Sequence, residues 1–185
     1  MTWRVWILVA VLFATHALAL YLMGQPWVYA EGYIKIWYGA SVLTPENSQH
    51  FSDWYTLSHV IHGMLFYAVI SLVFPRLSIS TRLLMALAVE SGWELFENTD
   101  MVIQRYREQA LAQGYFGDSI INSIGDMLAA AGGFFLASRL PVWISIITIV
   151  VLEGVALYMI RDSLTLNIIQ LVHPIDAIGA WQAVK

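Results

Sequence analysis

The sequence has no cysteine. That excludes disulfide staples, cysteine-ligated iron–sulfur clusters and thiolate zinc sites. Charge is scarce as well. Only 12% of residues are Asp, Glu, Lys or Arg, about half the quarter typical of soluble domains. Nine basic residues stand against thirteen acidic ones, for a formal net charge of −4, so there is no basic surface for nucleic acid. What fills the chain instead is apolar. It is 59% hydrophobic with a mean hydropathy of +0.66, the composition of an integral membrane protein. Eight Trp and nine Tyr suit anchoring at the membrane–water interface.

Five apolar stretches approach the length needed to cross about 30 Å of hydrocarbon. They are residues 3–23, 55–74, 81–98, 118–138 and 141–160. The expectation is an all-α membrane bundle of about five transmembrane helices plus short interfacial helices, in a single domain over 1–185. PRLSIST (75–81) and RLP (139–141) are short turns on one side, and the longer connections 24–54 and 99–117 lie on the other. Arg4, an apolar run and ALA at 17–19 resemble a secretory signal. The apolar run continues through LYLM, however, so the first stretch reads as an uncleaved helix. QPWVYAEGYIKIWYGASVL (25–43) reads as an aromatic segment lying flat at the interface as a short amphipathic helix. LTLNIIQLVHPIDAIGAW (164–181), interrupted by His-Pro, is placed along the same surface.

Orientation follows the distribution of Lys and Arg in short loops. Arg4, Arg76, Arg82 and Arg139 crowd very short segments on one side. Lys35, Arg105, Arg107, Arg161 and Lys185 spread over long acidic segments on the other. Their density places the amino terminus in the cytoplasm and the carboxyl terminus in the periplasm.

The polar residues within the spans converge at one depth, whichever way the bundle is inserted. Ser58, His59 and His62 lie in the first two turns of the second span. Glu94, Glu97 and Asn98 lie in the last turns of the third, with Glu90 about 10 Å deeper at the helical rise per residue. Asp118 and Asn122 open the fourth span, with Asp126 about 12 Å below Asp118. Spacing groups them further: Glu90, Glu94 and Glu97 form one helical stripe, as do Asp118, Asn122 and Asp126. Gly63, Gly92 and Gly125 beside these rows allow helix backbones to approach closely. His16, Glu153 and His173 are single residues without a spacing partner.

The five carboxylates Glu90, Glu94, Glu97, Asp118 and Asp126 outnumber the two histidines, and no Lys or Arg shares their depth. Such a group requires protons, a bound cation, or Arg105 and Arg107 reaching back from the loop. A divalent cation is the most economical partner. Imidazole with carboxylate suits Zn, Mn or Fe, and carboxylates alone suit Mg or Ca. The expected metal ligands are His59, His62, Glu94 and Asp118. Glu90 and Asp126 are the acid/base groups, and Ser119 or Ser123 is a nucleophile beside a histidine. Asn98, Asn122 and Arg105 are expected to orient substrate. Each motif also has a bland reading. HxxH occurs as helix packing, the glutamates as a solvated helix end, and Asp118 as an N-cap.

The set SHVIHG (58–63), ESGWELFENTD (90–100) and GDSIINSIGDM (117–127) resembles a family of small bacterial inner-membrane proteins known only as a domain of unknown function. The resemblance covers almost the whole chain and implies a bacterial inner-membrane location, but no activity. Three functions therefore stay open. The first is a metal-assisted hydrolase or transferase acting on a lipid or lipid-linked substrate. The second is a proton or cation carrier, which the apolar inner halves of the spans disfavour. The third is a non-catalytic assembly subunit with protein partners or a second copy of itself. A haem ligand role for HxxH is weakest, because one helix cannot supply both axial positions to one haem.

Overall fold

The computed structural model describes residues 3–109, 111–112 and 114–183, so Lys185 lies outside the described residues. The described chain is helical, with one isolated parallel bridge between Tyr38 and Asp53. The long helices are α1 (Trp3–Leu22), α2 (Thr56–Val73), α3 (Ile79–Glu97), α5 (Ile120–Ala137) and α6 (Val142–Ile160). Three short ones follow the bundle at its edges: α4 (Asp100–Arg107), α7 (Leu164–Val172) and α8 (Asp176–Ala183). Four of the long helices, α1, α2, α5 and α6, are long and apolar enough to cross a membrane. The fifth, α3, carries Arg82, Glu90, Glu94 and Glu97 and packs among them.

Serines set the helix starts. Ser78 accepts a hydrogen bond from the Thr81 N–H, Ser119 from Asn122 and Ser163 from Leu166, each from an extended backbone suited to an N-cap. Pro141 leads into α6, where a missing N–H costs nothing.

Helix α5 is the centre of the bundle. Of its membrane-length window 56% is buried, against 11% for α6. Its partner is α2, and glycine permits the approach: a Cβ on Gly63 would lie 1.8 Å from the Ala130 carbonyl oxygen, and one on Gly133 2.0 Å from that of Val60. Gly92, expected to serve the same purpose, faces open space. Away from the polar end, Ile70, Leu83, Ala86, Leu87 and Phe134 form the core.

The connection 24–54 differs from the expected flat helix. It has no helix and folds back into the bundle. Phe51 N donates to Lys35 O and Tyr38 N to Ser52 O, and Gln49 and His50 are fully buried. The first turn of a buried helix needs acceptors for its free N–H groups. Pro26 O accepts from Ile120 N at 2.8 Å, and Trp27 O from Ile121 N at 3.2 Å. The loop enters so closely that a Cβ on Gly125 would lie 1.9 Å from Phe51 O. Gly125 thus serves loop against helix, not helix against helix.

Candidate metal centre

Helices α2, α3 and α5 present their polar rows to one another. His59 Nδ1 lies 2.6 Å from Glu90 Oε1 and 3.2 Å from Glu94 Oε1. His59 Nε2 lies 3.9 Å from Asp126 Oδ2, and His62 Nδ1 lies 3.1 Å from Glu90 Oε2. Two triads share His59: His59–His62–Glu90 and His59–Glu94–Asp126, each with its ligand atoms within 4.8 Å of one another. All five side chains are buried, Glu90 completely. Thr56 Oγ1 donates to Asp126 Oδ1 at 2.7 Å and holds that carboxylate in place.

The triads hold three carboxylates against at most two imidazolium charges. Glu94 Oε1 is buried and has no hydrogen-bond partner. Its nearest cationic group is His59 Nδ1 at 3.2 Å, a nitrogen already committed to Glu90 Oε1 at 2.6 Å. A buried carboxylate oxygen with so little compensation is costly, so this atom marks where positive charge is short. Two nitrogens and several carboxylate oxygens form a donor set that fits Zn, Mn or Fe.

The structure regroups the residues expected from sequence. Glu90 and Asp126, assigned to acid/base chemistry, stand within the triads. Asp118, expected as a ligand, stands outside them. Its Oδ2 accepts from Asn98 Nδ2 at 2.7 Å and Tyr115 OH at 3.0 Å, and its N–H donates to Asn98 Oδ1. Ser119, expected as a nucleophile, is the N-cap of α5, and its hydroxyl donates to Gln49 O at 3.0 Å. Asn122 Nδ2 donates to His50 O at 2.7 Å, which ties the loop to α5. Arg105 turns away and donates from Nε to Leu171 O on α7, while Arg107 donates to Tyr115 O. Glu153 accepts from the N–H groups of Leu164 and Thr165 at the start of α7.

His16 was not grouped with the site by spacing, yet it reaches it. Its Nδ1 lies 3.0 Å from Ser91 Oγ and its Nε2 2.7 Å from Ser123 Oγ. Ser123 Oγ in turn donates to Glu94 Oε2 at 2.5 Å. Its position in the outer half of α1, level with two serines, was the available signal.

A cavity opens above the triads. His59, His62 and Asp126 form its floor, and Trp93, Tyr55, Tyr106 and Tyr115 its walls. At its edges two carboxylates outside the spans have displaced pKa values. Burial raises Asp162 to about 6, against the lowering effect of hydrogen bonds from Ser163, Tyr55 and Asn167. For Glu46 burial also pulls upward, but bonds from Lys35, His50 and Tyr33 outweigh it and hold the carboxyl at about 2. The Glu46 bonds all lie within the 24–54 connection and brace its own fold.

A family model described as "Protein of unknown function (DUF2585)" matches residues 20–184. The chain belongs to the DUF2585 family. Curated DUF2585 relatives of similar length are the bacterial UPF0314 proteins. One from Sinorhizobium fredii is 50% identical over 98% of this chain and 92% of its own. One from Rhizobium meliloti is 53% identical over 92% and 86%, and one from Paracoccus denitrificans 47% identical over 90% and 86%. No solved structure matches this DUF2585 chain.

Proposed function

We propose that this protein is a metal-dependent hydrolase or transferase of the bacterial inner membrane, acting on a lipid or lipid-linked substrate at the periplasmic face. Glu94 Oε1, buried between His59 and Asp126 and accepting no hydrogen bond, carries the proposal. His59, Glu94 and Asp126 are the ligands, and a divalent ion there supplies Lewis-acid activation of water or of a phosphoryl or acyl oxygen. His62 lines the cavity with Nδ1 on Glu90, so the carboxylate orients the ring and His62 moves the proton. Four helices long and apolar enough to cross a membrane support a substrate met at the lipid head groups.

A second reading, a closed hydrogen-bond network in an assembly subunit, is favoured by the satisfied groups of Asn98, Asn122 and Ser119. Metal analysis of the purified protein separates the two. The enzyme reading expects one divalent ion per chain, lost in Glu94→Gln and Asp126→Asn. No ion in wild type, and no uptake of added Zn or Mn, would refute it.

A further inference from the structure

We infer that the cavity binds the ammonium head group of a membrane lipid, with Glu97 and Asp118 as its counter-charges. The inference deepens the proposed function and rests on the cavity being a lipid site. Glu97, Asp118 and Asp126 line it, and among the described residues none of the lining is Lys or Arg. An anionic head group would meet carboxylates with no fixed cation to offset them. A cation is drawn in.

The tyrosines make the pocket more selective than charge alone. Tyr106 OH donates to Glu97 Oε1 at 2.7 Å, Tyr115 OH to Asp118 Oδ2 at 3.0 Å and Tyr55 OH to Asp162 Oδ2 at 3.2 Å. With each hydroxyl turned to a carboxylate, what the tyrosines offer the cavity is ring surface. Tyr106 and Tyr115 meet edge to face at 5.6 Å between centroids. Aromatic walls over fixed carboxylates are the chemistry that recognises choline and other ammonium groups. Beneath the cavity the same shortage of positive charge recurs: Glu94, 1% exposed, accepts no hydrogen bond at Oε1, and its ion-pair contact is His59 Nδ1 at 3.2 Å, which Glu90 shares. The polar end of the cavity thus calls for positive charge at its floor and at its wall. With the proposed divalent ion meeting the need at the floor, a zwitterionic lipid meets the one at the wall, its ammonium at Glu97 and Asp118 and its phosphate toward that ion.

The test is calorimetric titration of the detergent-purified full chain with short-chain phosphatidylethanolamine, phosphatidylcholine and phosphatidylglycerol of identical acyl chains. Each titration is run with chelator and again with added zinc. The expected result is about tenfold tighter binding of the two ammonium lipids than of phosphatidylglycerol, the scale of a desolvated cation–aromatic contact. Glu97→Gln keeps an acceptor for Tyr106 and removes a counter-charge, so the preference falls severalfold while circular dichroism stays native. Equal binding of the three lipids overturns the inference, as does a preference unchanged in Glu97→Gln. Free ethanolamine binding as tightly as the lipid assigns the pocket to a soluble amine and overturns the lipid assignment. Absence of metal with the ammonium preference intact refutes the metal site alone and supports this inference.

Discussion

Replacing Gly63 by alanine tests the geometry on which the site depends. The new Cβ would lie 1.8 Å from the Ala130 carbonyl oxygen. An ordinary carbon–oxygen contact is about 3.3 Å, so α2 and α5 must part locally by roughly 1.5 Å. Both helices are backbone at that contact, and no side chain can rotate away. Overpacking of this kind costs about 2 kcal/mol, a fall of roughly 4–8 °C in melting temperature for a chain of this length. The same movement acts on the site. Gly63 follows His62 directly, and separation of α2 from α5 carries His59 Nε2 away from Asp126 Oδ2, now at 3.9 Å. Thermal melting in detergent, read beside zinc affinity, should show both losses together. Gly133→Ala strains the same interface, so the double variant should be less destabilised than the two singles added. Gly92→Ala and Gly132→Ala, with nothing within 4 Å, are the controls and should be neutral or stabilising by up to about 1 kcal/mol. A Gly63→Ala protein that melts and binds metal as wild type does, or a Gly92→Ala protein equally damaged, would show that helix contact does not govern the site.

Two further outcomes follow from named contacts. Ser123→Ala and His16→Phe remove the bonds that hold Glu94 Oε2, so each should weaken metal binding about tenfold, as lost orienting partners do. Because they act in one chain of bonds, the double variant should be little worse than either; full additivity in the titration would show separate roles. Asp162 binds its proton more tightly folded than unfolded, with its pKa raised from 3.8 to about 6. Its contribution is fully present below the unfolded value and is lost as pH rises through the folded one, about 3 kcal/mol in all. Asp162→Asn should flatten the decline of stability across that window. An unchanged pH profile in denaturant melts would reject the assignment.

Much of the bundle was legible in the sequence. The apolar run 55–74 became α2 at Thr56–Val73, and 141–160 became α6 at Val142–Ile160. The convergence of SHVIHG with the glutamate and aspartate rows was legible too, because helical rise converts residue number directly into depth. The choice of partners was not. Asp118 and Asp126 were assigned to one stripe, but α5 begins at Ile120, so Asp118 precedes the helix and does not share its periodicity. His16 gave no spacing signal because its partners, Ser91 and Ser123, come from two other helices. The segment 24–54 has no regular period, and its fold is set by the N–H groups and side chains of α5 that it satisfies.

The sequence by itself determined that the chain is helical and suited to a membrane, that its polar groups share one end, and that carboxylates outnumber basic groups there. Each of these follows from local composition and helix geometry. Only the tertiary structure decided which carboxylates meet which histidines, that one Glu94 oxygen accepts no hydrogen bond, and that tyrosines and a returning loop enclose a cavity above them. Those depend on how each helix is rotated about its own axis. That rotation is fixed by packing between distant residues, above all where Gly63 and Gly133 bring α2 and α5 into backbone contact.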